Sequence, residues 1–169
     1  MTKPPSFAEI KTINRALQKL VGLNWFPVKI FEKLHQVISL WAVELVITRQ
    51  NGQEILLTKY EGKYFKGQWH IPGGFALRDE TLTQMVSRIG RQELGMAVKL
   101  VKLIEIYKWK PKEHPPGRAL SIFYLCRSAE KIIETKTTKY YSVAELPRPM
   151  VPNHRRFVRK YLMRRRFMS

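Results

Sequence analysis

Apolar positions along the chain follow either a helical or an extended rhythm, and the switches between them mark out the elements. From Ser6 through Lys19, Phe7, Ile10 and Ile13 fall at helical spacing, with Ala16 and Leu17 near one turn on, and Ser6 stands where an N-cap belongs. The chain therefore opens on a helical arm. A second short amphipathic piece, Val28 to Leu34, leads into QVISLWAVELVITRQ, whose β-branched and aromatic residues predict a long central strand. Asn51-Gly52 between that run and QEILLTKYE is the two-residue hairpin signal, because both positions tolerate positive φ.

GQWHIPGG reads as a short strand running into paired glycines. In TLTQMVSRIGRQELG, Leu82, Met85, Val86 and Ile89 share one helical face, Asp79 or Thr81 is placed to cap the start, and Gly95 to end it. Gly90 sits inside that helix at a cost of roughly 1 kcal/mol relative to Ala, so the helix must rely on packing. MAVKLVKLIEIYKWK and RALSIFYLCRSA follow as strands separated by the loop PKEHPPG, then a short strand near Lys139 to Ser142 and a basic helix from Asn153 to about Arg166. Strands on both sides of a central helix, joined by hairpins, argue for a mixed-sheet α/β sandwich.

Composition narrows the class. A chain of 169 residues, 44% apolar and 26% charged, suits one globular domain with additions, and no apolar run approaches the roughly 20 residues of a membrane span. MTKPPSFAEIKTINRAL lacks the apolar core of a signal peptide, which leaves a cytoplasmic expectation. Cys126, the single cysteine, reads as a small buried hydrophobe. The net charge of +18 calls for an anionic partner or a crowded solvated surface; phosphorylated ligands, nucleic acid and acidic membranes all answer to it, and charge alone does not choose among them.

The segment Gly74 to Met96 resembles the box of the Nudix family, G-x5-E-x7-R-E-U-x-E-E-x-G-U with U a bulky aliphatic residue. Gly74, Glu80, Arg88, Glu93, Gly95 and Met96 match it, and Trp69-His70-Ile71-Pro72-Gly73-Gly74 looks like the usual approach. The resemblance implies a Nudix-type α/β/α sandwich over residues 35–150, to which the residue pattern adds a helical arm at 1–34 and a basic C-terminal helix at 151–169. It also implies structural roles for Gly74, Glu80, Arg88 and Gly95, the Arg fork on Glu80 holding the loop. The family's three carboxylates lie at i, i+3 and i+4 on one helical face; here Ile89 and Gln92 occupy the first two, Glu93 alone is kept, and Gly90 replaces the bulky residue. That pattern is similar to the GDP-mannose mannosyl hydrolase branch, in which one Mg²⁺ neutralises a departing diphosphate while water attacks the sugar's anomeric carbon. The resemblance implies Glu93, the Gly73 carbonyl and Glu134 as metal ligands. Thr135 and Phe75 stand where the branch has its general-base histidine and an arginine.

The expected function is hydrolysis of a nucleoside diphosphate derivative, foremost a nucleotide sugar, with a single Mg²⁺ or Mn²⁺. Its rival is a catalytically inactive Nudix-fold module that binds RNA or another polyanion through its basic surface. Glu93 is the candidate catalytic and metal residue, and His114 in the Pro-rich loop is the candidate base. Lys63, Lys66 and Arg118 are candidates to contact substrate phosphates. His70 reads as a packed histidine, His35 and His154 as helix-surface residues, and Trp41 and Trp109 as core. The C-terminal run with Arg155, Arg156, Arg159, Lys160 and Arg164 to Arg166 carries no acid; an apolar stripe of Phe157, Val158, Tyr161 and Leu162 docks it, and its basic face offers RNA or an acidic surface a contact.

Overall fold

The computed structural model describes residues 4–21, 23, 26–110, 113 and 119–163. Two N-terminal helices, α1 (Phe7–Gln18) and α2 (Val28–Val37), precede β1 (Leu40–Val46), β2 (Thr48–Arg49), β3 (Glu54–Lys59), β4 (Trp69–His70) and β5 (Gly73–Phe75). Then come α3 (Leu82–Leu94), β6 (Val98–Lys108), β7 (Ala119–Ser128), β8 (Thr138–Ser142) and α4 (Pro152–Tyr161).

The strands form two sheets. One has the order β5-β1-β7-β6, in which β1 and β7 are parallel and the other pairs antiparallel. In the other, β3 pairs antiparallel with β2, β4 and β8. The single long strand expected from QVISLWAVELVITRQ is divided: it leaves the first sheet after Val46 and enters the second at Thr48, while the Ile47 carbonyl accepts from Leu56 N at 2.9 Å. The β2-β3 hairpin is present, but its turn is longer than two residues. Arg49 pairs with Glu54, and Gln50, Asn51 and Gly52 between them all have positive φ.

Period-two alternation explains why these strands read as unbroken apolar runs: both faces are covered. Val43, Leu45, Ile47 and Leu56 pack with Met85, Val86 and Ile89 of α3. Val46, Ile55 and Leu57 turn the other way, onto Phe157, Val158 and Leu162 at the end of the chain. The result is a mixed α/β sandwich with α3 and α4 on opposite sides. Trp41 departs from the core expectation: at 39% exposed it lies beside the N-terminal helices, whereas Trp109 is buried. Cys126 is buried and its thiol is pushed up to about 12 by burial.

Candidate active site

α3 is fixed at both ends before it presents any chemistry. Thr81 caps it reciprocally with Gln84, and Gly95, at φ 72°, closes it in the left-handed conformation. Asp79, the other candidate cap, lies outside the helix at φ 64°. Arg88 grips Glu80 with both Nε and Nη2, donates from Nη2 to the Phe75 carbonyl at 2.9 Å and from Nη1 to Gln92 Oε1 at 2.9 Å. Glu80 also accepts from Leu77 N at 3.1 Å. The guanidinium holds the Glu80 carboxyl below the usual carboxylate range. One fork thus ties the β5 strand, the loop and the helix together. Ile89 is fully buried in the core, and a Cβ on Gly74 would lie 3.3 Å from its Cγ1.

With Ile89 in the core and Gln92 bound to Arg88, Glu93 is the carboxylate that α3 turns into a cavity of about 300 Å³, shared with Thr58, Tyr60, His70 and Gly73. Thr58 Oγ1 donates to Glu93 Oε2 at 3.2 Å and lies 3.0 Å from His70 Nε2. Thr58 thus links His70 to Glu93, and the His70 ring is also engaged by a backbone hydrogen bond with Ile71. Burial pulls His70 down to about 4, so its 3.7 Å approach to Glu93 is no ion pair at neutral pH. Burial pushes the Glu93 carboxyl up, and the Thr58 hydrogen bond partly offsets this.

Tyr60, His70 and Gly73 also wall a second, inner compartment of about 120 Å³ between the sheets. At its floor Glu44 Oε1 accepts from Ser121 Oγ at 2.8 Å, and Ser121 accepts from Trp109 Nε1 at 2.8 Å. Burial pushes Glu44 up to about 8, with Ser121 opposing. His154 Nδ1 accepts from Ile71 N at 3.0 Å, leaving Nε2 3.8 Å from Glu44. A Cβ on Gly73 would fall 2.0 Å from Glu44 Oε2, so only glycine lets β5 lie this close.

Of the expected site residues, Glu93 and Gly73 share the outer cavity. Lys63 donates to Glu32 Oε1 at 3.0 Å, tying its loop to α2; Lys66 is exposed; neither lines either compartment. Glu134 faces Arg49 at 3.0 Å and accepts from Tyr140 N, outside the cavity lining. His114 and Arg118 lie outside the described residues, as do Arg164 to Arg166 and the side chain of His35. His154 is not a helix-surface residue but is buried on α4. The basic face of α4 is partly used internally: Arg155 donates to the Leu146 and Pro147 carbonyls, Arg156 to Glu113, and Lys160 to Glu105. Glu44, Thr58 and Ser121 were not singled out from the sequence. Glu44 did leave a signal, a lone acid amid the apolar run LWAVELV.

The family model that matches is the Nudix domain, over residues 39–161, and the chain belongs to that family, whose members generally use divalent metals. Among curated proteins it is 27% identical over 125 residues, 72% of each chain, to an ADP-ribose pyrophosphatase of Methanocaldococcus jannaschii. It is 36% identical over 63 residues, 37% of this chain and 39% of the relative, to the low-salt glycan biosynthesis protein Agl8 of Haloferax volcanii. A MutT Nudix hydrolase from Burkholderia pseudomallei shares the fold at TM-score 0.62 and 20% identity, over 72% of this chain and 97% of that one.

Proposed function

We infer that the chain is a divalent-metal-dependent hydrolase of nucleoside diphosphate derivatives, with a nucleotide sugar as substrate and a single Mg²⁺ or Mn²⁺ at the diphosphate. The carrying observation is how few carboxylates face the outer cavity: Glu93 from α3, and Glu61, close enough to help raise it. Among the described residues no group of three His, Cys, Asp or Glu is arranged to hold a metal ion. Ile89 is core, Gln92 is bound to Arg88, and Glu44 is buried against Ser121, its burial favouring the protonated form. Such a donor set does not suit a cluster of ions. It does suit one Mg²⁺, which often takes one or two carboxylates and completes its shell with water and substrate phosphates. Glu93 and the Gly73 carbonyl would hold it, and when bound it supplies charge neutralisation to the diphosphate.

The chain's own residues then divide the work. Thr58 aims Glu93, neutral His70 fixes Thr58, and Tyr60 and Gly73 border both compartments. Thr135, where the mannosyl hydrolase branch has its base, accepts from Thr137 N and Thr138 N within its own loop. The substrate named for the Methanocaldococcus jannaschii relative, ADP-ribose, is itself a nucleoside diphosphate bearing a sugar, in keeping with this class. With one ion, easing a diphosphate away from an anomeric carbon is less demanding than generating a nucleophile to attack phosphorus.

The test is hydrolysis of a panel of nucleotide sugars and ADP-ribose with Mg²⁺ in ¹⁸O-labelled water. The expected product is labelled free sugar. Label in phosphate overturns attack at carbon, and no turnover across the panel replaces the enzyme with a polyanion-binding module.

A further inference from the structure

No residue of α1 is buried. Its apolar side is bare, with Phe7 84% exposed, Ile10 42%, Ile13 47% and Leu17 47%. Lys11, Arg15 and the C-cap Lys19, spaced by four, start beside this stripe and run onto the polar side of the helix, and the helix's one acid, Glu9, is bound to Ser6 in the cap. At Leu17 the stripe meets an apolar groove of about 520 Å³ between the N-terminal segment and the β1-β5 edge, lined by Val21, Phe26, Phe31 and Trp41 among others. Most of the large apolar side chains left exposed among the described residues lie between Phe7 and Trp41. A contiguous surface of this kind marks a contact site rather than scattered exposure.

The charge decides what covers it. A second copy would set one chain of net charge +18 against another. Nucleic acid would satisfy the cations and leave the apolar stripe in water. An anionic bilayer satisfies both, with headgroup charge for the lysines and arginine and the acyl boundary for the stripe. We propose that α1, with the groove it leads into, docks the protein peripherally on an anionic lipid surface. The helix lies in the headgroup plane, and no described helix is long and apolar enough to cross.

The test uses the full chain with phosphatidylcholine vesicles, with and without phosphatidylglycerol, read by co-sedimentation. Binding is expected to the anionic vesicles and not to the neutral ones. Ile10→Ser with Ile13→Ser keeps every charge and should weaken binding by roughly tenfold or more through lost apolar burial. Lys11→Ser with Arg15→Ser should lose about fivefold per cation. Neither pair makes a buried contact, so the melting temperature should hold. Absence of binding to anionic vesicles overturns the proposal. So does equal binding by the isoleucine variant, which would be adsorption by bare charge, and so does a dimer in solution that the isoleucine variant dissociates.

Discussion

Glu44 shows how much a single side chain can depend on its surroundings. It stands between Val43 and Leu45 on a strand covered on both faces, with Ser121 as its hydrogen-bond donor, and burial lifts it from 4.5 to about 8. An acid whose folded value is raised favours the protonated state. Stability that is complete below pH 4.5 is therefore lost as pH rises towards about 8, at up to about 1 kcal/mol per pH unit, because the unfolded chain gives up its proton first. Glu44→Gln keeps the shape and removes the titration. Its unfolding free energy, from urea titrations between pH 5 and pH 8, should therefore fall less with pH than that of the wild type; parallel profiles would show that Glu44 is ionised in the fold. Glu44 was detectable in the sequence only as an acid out of place. Its partners Ser121, Trp109 and His154 come from distant parts of the chain, and no local periodicity joins them. His154 departs from its helix-surface expectation for the same reason, since its place is decided by the Ile71 amide, which comes from a distant part of the chain.

Among the elements, α3 was the most legible because its signals are local: a threonine cap, four apolar positions on one side and a terminal glycine. The break of the long strand at Ile47 was not, because apolar content stays high through a change of sheet and only the pairing partners differ. Gly90 sits between these cases. Helix propensity alone favours alanine there by about 1 kcal/mol. A Cβ would, however, lie 2.7 Å from Val98 Cγ2 and 2.9 Å from the Met96 carbonyl, so the turn into β6 packs directly on this glycine. Overpacking costs of roughly 1–3 kcal/mol outweigh the propensity gain. Gly90→Ala should lower the urea midpoint; a stabilised variant would mean that β6 yields more readily than the packing implies.

At the scale of the whole molecule, the sequence located the family box, but the division of labour around it emerges only from the fold. α3 brings Glu93 to the outer cavity, β5 and β1 set Gly73 against Glu44, and α4 closes the inner compartment with His154 while packing Phe157 and Val158 into the core. Three basic residues of α4 are bound within the chain, so the surplus charge is less concentrated on that helix than its sequence suggests. The central claim is that this arrangement holds one divalent ion, through Glu93, together with a diphosphate. Counting bound Mn²⁺ by electron paramagnetic resonance, with a non-hydrolysable nucleoside diphosphate analogue present, tests it most directly. One ion per chain is predicted for the wild type, with loss of that ion and an unchanged melting temperature in Glu93→Gln; two or more ions per chain, or an undiminished ion in the variant, would contradict it.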